Sequence, residues 1–258
     1  MSGRPRPGRR RHLVPPAAII KIGSTSSTLL VAERLSQPLV RDQRLFNLFE
    51  AEGQRALLGQ VADWRRVARD YGSEPIGAGG EAVRQCAALA DALRSLLADW
   101  WDLSGDAEGR LAWMAVSAED AHTDGVLDIG GGSTEIVTRT GVASLPWGAA
   151  HQAPHMDWPE LPTLTNPAAV GGTVSALAAW CGRDRVSRKD ARALADALET
   201  NPGQFESLDP LRRRILPGGL AVLESLWDRT GWPWLRISRR GLTEGLWLAA
   251  SLGRGVQP

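Results

Sequence analysis

The sequence is short of several things, and each shortage removes a class of function. Only two cysteines occur, Cys86 and Cys181, in unrelated contexts, so they build neither a disulfide framework nor a metal knuckle. No apolar run approaches the roughly 20 residues that span a bilayer. The basic start has no adequate apolar signal region, because Pro15, Pro16 and Lys21 interrupt it. The chain reads as cytoplasmic, with no membrane partner. Formal net charge is +1 over 258 residues, so no overall field marks a nucleic-acid partner. No G-x-x-x-x-G-K-[ST] occurs and no G-x-G-x-x-G follows a strand, which removes the P-loop and the dinucleotide fingerprint. No solenoid-type repeat is visible. His151 and His155 stand four apart, but Pro154 breaks the helix that would align them on a metal.

One charged stretch stands out. Arg4, Arg6, Arg9, Arg10 and Arg11 crowd the start, and residues 1–16 read as a basic, disordered, solvated tail. The alternative for this tail is an electrostatic handle for polyanions such as RNA or polyphosphate. Arginine outnumbers lysine throughout, which weakens any special meaning of the tail.

What remains is ordinary for a soluble globular chain: 43% hydrophobic and 23% charged residues, enough for one large domain or two lobes. Three strands are expected in "AAIIKI", "STLLVAER" and "LVRDQRLFNLF". A helix follows in "GQRALLGQVADWRRVARDYG", where Leu57, Leu58, Val61, Trp64 and Val67 have helical spacing and Gly72 ends it. "EPIGAGG" reads as a short strand and loop. "EAVRQCAALADALRSLLADWW" reads as one strong amphipathic helix, and "SGDAEGRLAWMAVSAEDA" as a loop followed by a helix. "GVLDIGGGSTEIVTR" is a glycine hairpin, with "GVASLPW" as a third strand. "AAVGGTVSALAAW" is strand, turn and helix; the remainder is mostly helical, with "WLRIS" a late strand. Strand hairpins followed by helices, occurring twice, predict an α/β protein of two related lobes.

The two hairpins carry the chemistry. "IKIGSTSST" and "LDIGGGSTE" share an apolar strand, a turn of small residues and a second strand. Small turn residues let backbone N–H groups approach an oxyanion, and successive N–H groups make an anion-binding nest. The hydroxyls of Ser24, Thr25, Ser26, Ser133 and Thr134 add donors. Two such loops facing across a cleft would hold adjacent phosphates. Asp128, at the strand end, is placed to position a Mg²⁺ or its waters, and Glu135 offers a second carboxylate. By itself a glycine triplet after a strand is commonly a structural turn; the duplication, together with Gly171-Gly172-Thr173, points to more.

These residues resemble a known family. "LDIGGGSTEIV" is similar to the second phosphate loop of the exopolyphosphatase/guanosine pentaphosphate phosphohydrolase (Ppx/GppA) phosphatases, and "IKIGSTSSTLLVAE" to the first. "VGGTVSALAAW", "SLPWG", "RRRILPGGLAVLESLW" and "SRRGLTEGLWLAA" fall in the same order as similar stretches of that family. The resemblance runs from about Ala17 to Leu252. It implies the two-lobed actin-like (ASKHA, ribonuclease H-like) α/β fold: a first lobe over 17–119, completed by 242–258, and a second over 120–241. The family's longer members carry a further C-terminal helical domain, and this chain is expected to be a short form without it.

The resemblance also assigns roles. "LSGDAEGRLAWMAV" matches the segment carrying the catalytic glutamate, which places Glu108 as general base, with Asp128 and Glu135 as further catalytic and metal-side carboxylates for Mg²⁺. Phosphate binding falls to Gly23, Ser24, Thr25 and Ser26 in the first loop and Gly130, Gly131, Gly132, Ser133 and Thr134 in the second. Gly171, Gly172 and Thr173 join them, as does Arg84 of "GEAVRQC". This chain departs from the family pattern at Lys21, where an aspartate is usual, at Thr25 and Thr28, at Ala107 and at His151. A carboxylate at a helix start is otherwise a common solvated residue, so Glu108 is expected to prove itself by its position.

The expected function is hydrolysis of the terminal phosphoanhydride of inorganic polyphosphate or guanosine pentaphosphate. The alternative is a catalytically weakened binder of polyphosphate or nucleotide; an actin-like kinase or ATPase fits the motifs less well. Expected partners are the polyphosphate or guanine nucleotide, without nucleic acid apart from the tail. A homodimer is compatible with the sequence. Lys21 is expected to stand opposite Asp128 and to weaken dependence on Mg²⁺.

Overall fold

The computed structural model describes residues 16–151, 156–161 and 163–253; Pro154, His155 and the arginines of the tail lie outside them. Strands β1 (Ala17–Ile22) and β2 (Ser26–Ala32) are buried almost throughout. They read as continuous apolar runs because helices cover both faces of their sheet. β1 pairs antiparallel with β2 and parallel with β4 (Ile76–Gly79). With β3 (Val40–Leu45) and β5 (Asp99–Asp102) they make a five-stranded sheet of order β3-β2-β1-β4-β5.

The second sheet repeats the theme. β6 (Gly125–Ile129) pairs antiparallel with β7 (Thr134–Thr138), and β7 with β8 (Val142–Leu145). On its other side β6 runs parallel to β9 (Pro167–Val170). The two-residue strand β10 (Arg185–Val186) and β11 (Leu235–Ile237) complete the order β10-β11-β9-β6-β7-β8.

Helices divide this assembly into five layers. Ile20, Ile22, Leu29 and Val31 face α1 (Ala51–Asp70) and α3 (Ala87–Leu96) in one core. On the opposite face Ile19 and Ala78 meet Leu242, Leu246 and Ala249 of α8 (Leu242–Ser251) and Leu111 of α4 (Gly105–Glu119). The other side of α4, through Ala112 and Val116, covers Val126, Val137 and Val170 of the second sheet. Leu127, Ile129 and Ile136 face outward into the core of α5 (Gly172–Cys181), α6 (Arg188–Thr200) and α7 (Pro210–Thr230). Each strand's alternation thus serves two different helix layers, as period-2 geometry requires. Helices α4 and α8 lie between the sheets, so α4, counted in the stretch 17–119, packs on the second sheet as well as on α8.

Two expectations need correction. The single helix expected over "EAVRQCAALADALRSLLADWW" is divided: α2 (Glu81–Arg84) stops, Cys86 is extended, α3 runs to Leu96, and Asp99–Asp102 is strand β5. The ring of Trp100 lies on Gly77 and Gly79 of β4, and this cross-strand packing outweighs local helix propensity. The loop expected at the start of "SGDAEGRLAWMAVSAEDA" is reduced to the cap residue, since α4 already begins at Gly105. Ser104 caps α4 by accepting from the Ala107 N–H at 3.2 Å, which fixes Glu108 in the first turn.

Candidate active site between the two hairpins

The hairpins end in the same way. In each, the first glycine N–H donates to a serine carbonyl at 3.0 Å, Gly23 to Ser26 and Gly130 to Ser133. The two turns then meet face to face. A β-carbon on Gly131 would lie 2.5 Å from Thr25, and one on Gly132 2.8 Å from the Ser24 hydroxyl. The small hydroxylated residues of one turn therefore occupy the room that the glycines of the other leave open. Gly23, Ser24, Thr25, Ser26, Gly130, Gly131, Gly132 and Ser133 line one cleft, together with Gly171, Gly172, Asp128, Glu135, Glu108 and Lys21.

Three carboxylates converge there. Asp128 and Glu135 are direct partners across the β6–β7 ladder, and Glu108 enters from the first turn of α4. Its carboxylate lies against Gly80, 2.5 Å from where a β-carbon would stand, and the residue is 9% exposed. That is not a solvated surface acid. Burial pushes the Glu108 carboxyl up to about 7, against the pull of Arg84 and Lys21. Burial also raises Asp128, which Lys21 partly offsets. Glu135, 2% exposed, stands well above the usual carboxylate range because of burial, with Glu108 and Asp128 adding to it; Ser133 and Ser144 oppose the shift. The Ser144 hydroxyl donates to Glu135 Oε1 at 3.0 Å, which gives the "SLPWG" stretch a physical role.

Positive charge comes from two sides. The Lys21 ammonium donates to the Ser26 carbonyl at 3.3 Å and is near enough to lower both Asp128 and Glu108. Arg212, on the first turn of α7, also lines the cleft. Its guanidinium lies over Gly172, where any β-carbon would overlap it. Burial pulls this guanidinium below its ordinary value, opposed by the nearby Asp209. Arg212 was missed from the sequence, as was Glu81. The only sequence signal for Arg212 is its place just after the Asp209-Pro210 helix start, where Asp209 Oδ1 accepts from the Leu211 N–H at 2.8 Å.

Three residues assigned to phosphate lie elsewhere. Arg84 Nη1 donates to Glu108 Oε1 at 3.1 Å, and the same guanidinium pairs with Glu81 and the Leu103 carbonyl. It holds the glutamate rather than facing the loops. The Thr134 hydroxyl is buried and donates to the Trp147 carbonyl at 2.8 Å, so its one proton is committed. Thr173 is 1% exposed and packs on Gly219 of α7. His151 stands outside the cleft against Phe49, ring centroids 5.9 Å apart.

The donor set bears on a metal. Among the described residues no group of three or more His, Cys, Asp and Glu could hold an ion. Two facing carboxylates, Asp128 and Glu135, nonetheless suit Mg²⁺, which usually keeps waters and takes one or two carboxylates plus phosphate oxygens. The cleft therefore fits a metal that arrives with a phosphate and not a closed protein cage.

No family model and no curated protein matches the sequence. Solved structures are similar over nearly their whole length. An exopolyphosphatase from Cytophaga hutchinsonii matches with a TM-score of 0.77 at 18% identity, covering 94% of this chain and 99% of that one. An exopolyphosphatase-like protein gives 0.76 at 17% identity, covering 91% and 97%. The Aquifex aeolicus member of the Ppx/GppA protein family gives 0.72 at 18% identity, covering 93% and 99%. The chain has the fold of these proteins, a two-lobed actin-like α/β fold with its cleft between paired hairpins.

Proposed function

We propose that the protein is a cytoplasmic phosphoanhydride hydrolase of the Ppx/GppA type, releasing the terminal phosphate of inorganic polyphosphate or guanosine pentaphosphate. The observation that carries the reading is Glu108: a buried carboxylate, raised to about 7, in one cleft with two facing anion-binding turns. A general base works best with a pKa near the operating pH. The N–H groups and hydroxyls of the two turns bind the non-bridging oxygens of the terminal phosphate. Lys21 and Arg212 balance its charge, and preorganised charge of this kind is the main contribution in phosphoryl transfer. Glu108 orients a water and takes its proton as the water oxygen bonds to the terminal phosphorus. The bridging P–O bond then breaks, giving orthophosphate and a chain one phosphate shorter. Arg84 positions Glu108. Mg²⁺, held by Asp128 and Glu135 together with the substrate, would supply further neutralisation of phosphate charge.

A second reading, a binder of polyphosphate or nucleotide with weakened turnover, is favoured by one observation: the ammonium of Lys21 lies in the cleft beside Asp128. Phosphate release from both substrates, with Mg²⁺ and with EDTA, separates the two. Release from either substrate is the expected result. Tight binding of both without any release would establish the binder instead.

A further inference from the structure

Each hairpin turn is tied from behind, and the two ties meet. Behind the first turn, the Leu48 N–H donates to the Ser24 carbonyl at 3.0 Å and the Phe46 N–H to the Thr25 carbonyl at 3.2 Å. Behind the second, the Ala149 N–H donates to the Gly130 carbonyl at 2.9 Å, and those of Ala150 and His151 to the Gly131 carbonyl at 2.8 and 3.1 Å. A trans peptide is planar, and its C=O and N–H point opposite ways. Fixing these four carbonyls therefore turns the N–H groups of Thr25, Ser26, Gly131 and Gly132 away from the backing segments. Each backing segment ends at a ring, Phe49 directly after Leu48 in one and His151 itself in the other. The ring centroids are 5.9 Å apart with planes tilted by 40°, inside the roughly 4.5–7 Å range of interacting aromatic pairs.

We infer that Phe49 and His151 are positioning residues, and that their ring contact is a clasp that sets the gap between the two turns. The inference rests on the hydrolase reading and names what holds its two sets of N–H groups at one spacing. Thr25 and Ser24, packed on Gly131 and Gly132, limit how near the turns come. The clasp limits how far they part. Neither ring lines the cleft itself, so both act through the turns.

Phe49 is 40% exposed, and burial alone does not account for where its ring lies. Its backbone places it. The Phe49 N–H donates to Asn47 Oδ1 at 3.3 Å, and Gln54 of α1 donates to the Leu48 carbonyl at 2.8 Å. The tip of the ring then reaches the second turn, 3.1 Å from where a β-carbon on Gly132 would stand. A further contact on the same edge, Arg214 to Glu50 at 3.2 Å, joins two side chains that are each more than half exposed, and such a pair holds little by itself. His151 is one of the positions at which this chain departs from the family pattern, so the ring partner of Phe49 is this chain's own.

The test uses Phe49→Ala, His151→Ala, the double variant, and the ring-keeping variants Phe49→Tyr and His151→Phe, all in the full-length protein. On tripolyphosphate or guanosine pentaphosphate, each alanine variant should lower kcat about tenfold and change KM less than about twofold, since even a misplacement of about 1 Å costs up to roughly 10²-fold. The double variant should be no slower than either single one, because the two side chains share one contact. Phe49→Tyr and His151→Phe should stay within about twofold of the natural protein. Amide hydrogen exchange reads the clasp without turnover. Residues 130–133 should exchange about tenfold faster in both alanine variants, while the sheets keep their protection and Tm moves by less than about 2 °C. Turnover or exchange unchanged in the alanine variants, losses that multiply in the double variant, or a large fall in Tm with faster exchange throughout would overturn the inference. If the natural protein cleaves neither substrate, the hydrolase reading fails, and exchange at 130–133 still decides whether the rings hold the turns.

Discussion

Residue for residue, the two hairpins are the same object with opposite charge. Lys21, Ile22, Gly23, Ser26, Ser27 and Thr28 occupy the register positions of Asp128, Ile129, Gly130, Ser133, Thr134 and Glu135. The cross-strand pair at the strand end is Lys21–Thr28 in one and Asp128–Glu135 in the other. Backbone geometry is shared because the same glycine–serine hydrogen bond closes both turns. What differs is the pair of residues inside each turn and the charge behind it. Serine and threonine on one side fit against glycines on the other, so neither turn could be copied onto its partner without a clash. The negative hairpin faces Glu108, the proposed base, and the positive one leans over both. Backbone thus gives the two turns one shape, while side chains make the two halves of the cleft chemically unlike.

The largest effect should come from removing the base that serves the negative hairpin. Glu108→Gln keeps shape and hydrogen-bonding capacity, so polyphosphate binding by calorimetry should persist while turnover falls about 10²–10⁴-fold. Unchanged turnover removes Glu108 from the mechanism. In the natural protein, turnover should rise with pH through about 7, as Glu108 loses its proton.

Making the hairpins alike is the next largest change. Lys21→Asp replaces +1 by −1 beside Asp128, and a unit pair about 4 Å apart near a protein surface interacts by roughly 4 kcal/mol before desolvation. Without Mg²⁺, polyphosphate affinity should fall about ten- to hundredfold; with Mg²⁺ much of it should return. Lys21 holds Asp128 and Glu108 down, so its loss should also move the pH–rate profile to higher pH. If the natural protein needs Mg²⁺ for binding as strongly as the variant does, Lys21 does not stand in for metal charge.

The interlock of the turns can be broken without touching charge. Gly131→Ala sets a methyl against Thr25, and overpacking of this kind typically costs about 1–3 kcal/mol. For a chain of this size that is roughly 2–4 °C in Tm for each kcal/mol. Adding Thr25→Ala should recover a good part of the loss, because neighbours that share one space are not additive. A double variant no better than the sum of its parts would mean that the turns do not pack as described.

The hairpins were legible in the sequence because turn chemistry is local: glycine, serine and threonine within four residues fix the turn. The α/β class followed from the same local patterns. Arg212 was not legible, since its arrival depends on α7 packing over Gly172, about forty residues away. Nor was the role of Arg84, since nothing local to it aims the guanidinium at Glu108 across a chain reversal. Thr134 and Thr173 carry the right hydroxyls, but the core claims one and the Trp147 carbonyl the other's donor, an assignment only packing makes: Thr173 is the buried one against Gly219 and Thr134 the donor. Strand β5 escaped because Trp100 finds Gly77 and Gly79, contacts made across the sheet.

The smallest expected effect separates the hairpins by stability. Glu135 stands where the first hairpin has uncharged Thr28, and its carboxyl is buried and held well above the ordinary value of 4.5. An acid with a raised folded-state pKa keeps its proton longer in the folded chain than in the unfolded one. Stability is then highest below the unfolded value and falls as pH rises towards the folded value, beyond which the full cost persists. Glu135→Gln removes that titration and can still accept from the Ser144 hydroxyl, now at 3.0 Å from Glu135 Oε1. Its Tm should therefore exceed that of the natural protein by a few degrees near about pH 8, and the gap should shrink near about pH 5, where little charge is forced into the cleft. Calorimetric scans at the two pH values decide the matter. A gap that is the same at both would mean that Glu135 is not held protonated by its surroundings, and that the negative hairpin carries its second charge without cost.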